Sequence, residues 1–161
     1  MFMRVSFDLD DTIFVSPEKF KTERALPFPF NRLYRERLRL GTIALFQAIR
    51  AQGVELWIYT TSFRSERHIR NHFRLYGLKI DGIVNGHRHA AQVQGSKRDI
   101  MPSKCPNYYH IDLHVDDDLS VAQNGRSNGF RVFLVGAQDD DWDKKILSEM
   151  ARIRALLSAG S

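Results

Sequence analysis

Val5-Ser6-Phe7-Asp8-Leu9-Asp10-Asp11-Thr12-Ile13-Phe14 is the stretch on which the fold turns. A short apolar run with a β-branched residue and an aromatic reads as a buried strand. It stops at three carboxylates, Asp8, Asp10 and Asp11, followed by the hydroxyl of Thr12. Alternate side chains of a strand share a face, so Asp8 and Asp10 point the same way as the strand ends. Carboxylates that close repel, and burying them unpaired costs several kcal/mol. A bound cation, or one carboxyl held protonated for acid–base work, relieves the strain. An ordinary Asp-rich turn explains Asp10-Asp11-Thr12 but not an apolar strand ending in Asp8.

Working outward, the bulk composition fits an ordinary folded chain. With 161 residues, 43% of them hydrophobic, a single domain over 1–161 with a sizeable core is expected. No apolar run is long enough to span a membrane, and Arg4 and Asp8 interrupt any secretory h-region. The one cysteine, Cys105, can form no internal disulfide and fits a reducing compartment, so a cytoplasmic location is expected. A formal charge of +5 favours anionic partners such as phosphate esters, nucleic acid or an acidic protein. Charge of that size also serves simply to keep a domain in solution.

The rest of the chain alternates strands and helices. Residues 15–40 have no clean period and carry Pro17, Pro27 and Pro29, so they read as a flap with at most a helical turn. A helix from about Thr42 to Gln52 is closed by Gly53, and Val54 to Tyr59 form a strand running into Thr60-Thr61-Ser62. A helix from about Ser65 to Tyr76 precedes a short strand at Ile80 to Asn85, and the polar stretch Gly86 to Cys105 reads mostly as loop. Tyr109 to Val115 is another strand, and it too runs into acid at Asp116-Asp117-Asp118. A helix near Leu119 to Arg126, a strand at Phe130 to Val135 and a C-terminal helix capped by Asp139 to Asp141 complete the chain. This pattern indicates an α/β, three-layer, doubly wound (Rossmann-like) sheet of about five parallel strands. Such sheets work beyond the carboxyl ends of their strands, and here three ends carry Asp8 and Asp10, Thr60, and Asp116 and Asp117.

In that order the motifs resemble the haloacid dehalogenase (HAD) superfamily, whose members are mostly phosphatases working through an aspartyl-phosphate. Asp8-Leu9-Asp10-Asp11-Thr12 matches the Asp-x-Asp-x-Thr motif, Thr60 the hydroxyl of the next strand, and Asp116-Asp117 the acidic pair. The resemblance covers nearly the whole chain, and the short inter-motif segments leave room for no large cap domain. It implies Mg2+ bound by Asp8, by the main-chain carbonyl of Asp10 and by Asp117, with Asp116 outside the first shell of ligands. Asp8 would be the nucleophile, Asp10 the acid and base, and Thr60 a donor to a phosphoryl oxygen. For the charge-screening lysine, Lys104, just upstream of the strand, is preferred to Lys97. Asp118 is expected to cap the following helix.

Thr61, Arg64 and Arg67 follow Thr60 and are candidates for substrate contact, although a solvated basic face explains most of the arginines. His68 and His72 are four apart on a helix but lack a third ligand, so a solvent face is expected rather than zinc. His87 and His89 suit substrate contact better than metal, and Cys105 is expected to be packed rather than nucleophilic. The reading is therefore a magnesium-dependent phosphohydrolase acting on a phosphate monoester. One alternative is a macromolecular phosphatase acting on phosphoprotein or nucleic acid ends, suggested by the open site. Another is a non-catalytic module that holds nucleic acid or an acidic partner on its basic surface. Nucleic acid is not favoured, because a binding module has no need of Asp10.

Overall fold

The computed structural model describes residues 2–160. In chain order the elements are β1 (Arg4–Phe7), β2 (Phe14–Val15), α1 (Phe30–Leu33), β3 (Arg37–Leu38), α2 (Thr42–Ala51), β4 (Glu55–Tyr59), α3 (Glu66–Leu75), β5 (Gly82–Val84), α4 (Gly86–His89), β6 (Leu113–Asp116), α5 (Leu119–Asn128), β7 (Val132–Leu134) and α6 (Trp142–Ala159). Five strands form one sheet in the order β5-β4-β1-β6-β7, and every pairing in it is parallel. Strand order reverses beside β1, so the ends of β1, β4 and β6 open onto one crevice. This is the doubly wound architecture expected, with no large inserted domain.

The apolar stripes read from the sequence are what close the layers. Phe7, Leu56, Ile58 and Val115 of the sheet meet Phe46 and Ile49 of α2, Ile69 and Phe73 of α3, and Trp142, Ile146, Met150 and Ile153 of α6. The acids before α6 act differently from a side-chain cap. Asp141 occupies the capping position without bonding a helix amide, whereas the Asp139 carboxylate accepts from the Asp141 N–H at 3.1 Å. Their effect on the helix is one of charge at its N-terminus.

Three stretches depart from expectation: Tyr109 closes a 3-10 turn over Pro106–Tyr109 and His110 takes a left-handed φ of +54°, so the strand expected from Tyr109 starts only at Leu113. Gly86 to Gln94 is helical, not loop: Asn85 caps α4 by accepting from the Arg88 amide, and a π turn over Ala90–Gln94 follows. Residues 15–40 form a firmly attached flap. Its base is the antiparallel β2–β3 ladder. Glu23 accepts from the amides of Gly41 and Ile43 at the start of α2, each at 3.1 Å. Arg39, expected with the solvated arginines, is buried instead. Its guanidinium lies over the rings of Phe20 and Trp142 and donates to the carbonyls of Gly136 and Asp139.

The flap also covers one face of α3, and this overturns the expected solvent face for His72. That imidazole is 0% exposed, stacked on Phe14 at 4.9 Å and beside Tyr34 and Tyr76. Burial pushes it down to about 4, opposed by nearby Glu36 and reinforced by His68 and Arg64. Its folded value lies below the usual 6.5, so the stability it contributes is present above 6.5 and is lost as pH falls towards 4. We expect the protein to lose on the order of 3 kcal/mol between pH 7 and pH 4 through this residue, a loss largely absent from His72→Phe in urea titrations. A second expectation concerns α5, where a Cβ on Gly125 would lie 2.6 Å from the Phe130 carbonyl oxygen. Gly125→Ala should cost about 1–3 kcal/mol, despite the better helix propensity of alanine, and a thermal melt reads it directly.

Candidate active site

The turn after β1 presents the acids. Ile13 and Phe14 both return their amides to the Leu9 carbonyl, and Asp11 takes φ +64°, a left-handed conformation that Asp tolerates better than most residues. The two acids of the motif then diverge. Asp8 is 7% exposed and faces the interior, whereas Asp10 stands at the rim. They line one cleft of about 460 Å3, with Asp11, Thr61, Ser103, Lys104, Asp116, Asp117, Asp118, Leu119 and Val121 around it.

At its floor the Lys104 ammonium, 4% exposed, lies 2.8 Å from the Asp8 carboxylate and donates to Asp116 as well. Lys97 is elsewhere, exposed and bonded to the Val93 carbonyl. Asp116 is wholly buried and saturated with donors. Its Oδ2 receives Lys104 and His114, and its Oδ1 receives the Asp118 amide at 3.0 Å. Asp117 is exposed, and the Thr12 hydroxyl donates to it at 3.0 Å while lying 3.4 Å from Asp8. Asp118 accepts from the Ser120 amide at the start of α5.

These surroundings set the charges. Burial pushes Asp8 up to about 7, with Lys104 opposing and Asp116 adding to the shift. Burial acts to raise Asp116 too, but the bonds from His114 and Lys104 hold it well below the usual carboxylate range. Lys104 stays above its ordinary value because Asp8 and Asp116 outweigh its own burial. Burial raises Asp117, although the Thr12 hydrogen bond works against it. Asp8, Asp116 and Asp117 can each bring one oxygen within 4.8 Å of the others, and Lys104 compensates for only part of their combined negative charge. Such an all-oxygen, under-neutralised set could hold a hard divalent cation.

The end of β4 differs from expectation in detail. Thr61 lines the cleft, whereas Thr60 is buried and its hydroxyl accepts from the Ser62 amide at 3.0 Å. Arg64 is tied up by acids: both its terminal nitrogens reach the Asp10 carboxylate at 3.0 Å, and one reaches Glu36 of the flap at 3.2 Å. Arg67 is exposed on α3 and makes none of these contacts. His87 packs edge-on against the exposed Phe63, while His89 bonds the Tyr59 hydroxyl at 2.7 Å. Cys105 is free and packed, with burial raising its thiol.

Sequence reasoning passed over Ser6, Tyr59 and His114. Ser6 Oγ lies 2.7 Å from His114 Nδ1, and His114 Nε2 lies 2.8 Å from Asp116. The signal for both was strand alternation: each is a polar residue two positions before a site acid, on the same face.

No family model and no curated protein matches the chain. Among solved structures it is similar to a D,D-heptose 1,7-bisphosphate phosphatase from Burkholderia thailandensis, at 16% identity over 91% of this chain and 84% of that one, with a TM-score of 0.48. The reading of the site rests on the side chains described above.

Removing the ammonium while keeping its stem gives a direct test of the floor. Lys104→Met should lose about 3–5 kcal/mol of stability at pH 8, because it strands two buried carboxylates. The loss should shrink at pH 5, where one of them takes up a proton, and urea titration at both values measures it.

Proposed function

We propose that the chain is a magnesium-dependent phosphohydrolase of HAD type, cleaving a phosphate monoester through an aspartyl-phosphate on Asp8. The observation that carries the reading is Asp8 itself: a buried carboxylate at a strand end, held by a buried lysine and opening onto a cleft where Asp116 and Asp117 lie within reach of the same ion. Asp8 and Asp117, with the Asp10 main-chain carbonyl, would hold the ion. Asp116 has donors on both oxygens and suits a role outside direct ligation. Bound there, magnesium would supply the positive charge that lets a phosphate dianion approach carboxylates.

An oxygen of Asp8 forms the new bond to phosphorus as the ester oxygen leaves in line, and Asp10 gives that oxygen its proton. Water then attacks the phosphorus of the acyl phosphate, Asp10 takes the water's proton, and phosphate departs with Asp8 restored. Lys104 would screen the crowded charge throughout, and the Thr60 hydroxyl, whose oxygen accepts from the Ser62 amide, would give its own proton to a phosphoryl oxygen. Before Asp10 can donate, one of its bonds to Arg64 has to open. A phosphate dianion competes well for that guanidinium, which makes Arg64 a substrate-contact residue as well as the partner of Asp10.

The cleft is open, and the exposed Phe63 and Arg67 follow Thr61 in sequence, which favours a second reading in which the monoester sits on a macromolecule such as a phosphoprotein or nucleic acid end. Among the described residues no helix is long and apolar enough to cross a membrane. The free Cys105 suits action in the cytoplasm.

The expected activity is magnesium-dependent turnover of para-nitrophenyl phosphate, abolished in Asp8→Asn. Asp10→Asn should fold normally and lose about 10^2- to 10^4-fold in kcat, the range of a lost general acid. Folded wild-type protein inert toward a panel of phosphorylated metabolites, nucleotides and phosphopeptides would overturn the reading.

A further inference from the structure

β1 and β6 lie side by side with Ser6 opposite His114, and in each strand the site acid follows two residues later. One face of two adjacent strands therefore carries Ser6 and His114 in the sheet's interior and Asp8 and Asp116 at its end. Ser6 and His114 are both 0% exposed. Burying a hydroxyl and an imidazole costs free energy unless their bonds are made, and here they are made to each other and to Asp116. An ionised Asp116 only accepts, so the ring carries its proton on Nε2, and Nδ1 accepts a hydrogen bond from the Ser6 hydroxyl.

The bond from His114 falls on the same oxygen, Oδ2, that receives Lys104. Together with the Asp118 amide on Oδ1, it fixes the plane of the Asp116 carboxylate. The ring also stands edge-on to Tyr59 at 5.9 Å, and the Tyr59 hydroxyl accepts from the Cys105 amide at 2.9 Å, next to Lys104 in the chain. His114 thus bears on Lys104 from both sides, through the carboxylate that binds its ammonium and through the ring that anchors its backbone.

We infer that His114, backed by Ser6, is a positioning residue that sets where the Lys104 ammonium sits against Asp8. Its kinetic consequence rests on the phosphohydrolase reading; its structural consequence does not. Without the Nε2 donor, Asp116 is free to rotate, and Lys104 follows it away from Asp8. Residues one step removed from a reacting group in this way typically change rate or affinity by about 10- to 100-fold.

The test compares His114→Gln, whose amide N–H can replace the donor, with His114→Leu, which fills the space without one. In metal-free protein labelled with 15N-lysine, the Lys104 Nζ resonance is expected to shift and broaden in His114→Leu and to return near its wild-type position in His114→Gln. With magnesium and para-nitrophenyl phosphate, His114→Leu should lose about 10- to 100-fold in kcat, with rescue in His114→Gln. KM should stay within about twofold, since the lysine is displaced rather than the substrate's other contacts. An unchanged Lys104 resonance in His114→Leu, or unchanged kcat, overturns the inference. Should His114→Leu fail to fold, Ser6→Ala removes a single hydroxyl and is expected to shift the same resonance. Wild-type protein that hydrolyses nothing while Lys104 responds as expected would overturn the hydrolase reading and uphold the brace.

Discussion

The Lys104 ammonium between Asp8 and Asp116 is the contact on which the site depends. Parallel strands deliver acids to the same edge of the sheet, and without a cation between them the ends of β1 and β6 would repel. A single lysine leaves negative charge over. That excess, on Asp8, Asp116 and Asp117, is of the kind a divalent ion could neutralise. The same arithmetic accounts for the opposite behaviour of the two buried acids. Asp116 has strong donors on both oxygens and is held ionised, while Asp8, with the lysine as its main support, is raised towards neutrality.

The fold solves the placement of these groups with short-range devices. Thr12, on the turn that follows Asp8, reaches across to Asp117 and ties the two strand ends together. Asp118 caps α5 and gives its amide to Asp116, so one residue both starts the helix and orients the acid two positions before it. Glu36 extends this order to the flap through Arg64, coupling the flap's position to the carboxylate of Asp10.

Much of this was legible in the chain. Acid is expensive in an apolar strand, so Asp8 and Asp116 announced strand ends and a shared task, and the helices between them required parallel returns. What escaped notice depended on neighbours remote in sequence. The burial of His72 needs the flap laid over α3, and the Ile69–Phe73 stripe alone gives no hint of that cover. That Lys104 rather than Lys97 contacts Asp8 is a matter of loop geometry, with Tyr59 holding the Cys105 amide beside it. The Arg64–Asp10 pair joins loops following two different strands, which no local pattern records. The helical turns after Asn85 lack an apolar period, and a side-chain cap starts them. Ser6 and His114 are the exception, since alternation alone marks them as sharing a face with the acids.

The central claim is that Asp8 takes the phosphoryl group. It is tested most directly by acid-quenching the protein during turnover of para-nitrophenyl phosphate with magnesium, reducing with borohydride and mapping peptides by mass spectrometry. The account predicts homoserine at position 8 in samples given the ester and unmodified Asp8 in samples without it. Turnover that leaves Asp8 untouched, or phosphate found on Thr12, Thr60 or Thr61 instead, would contradict it.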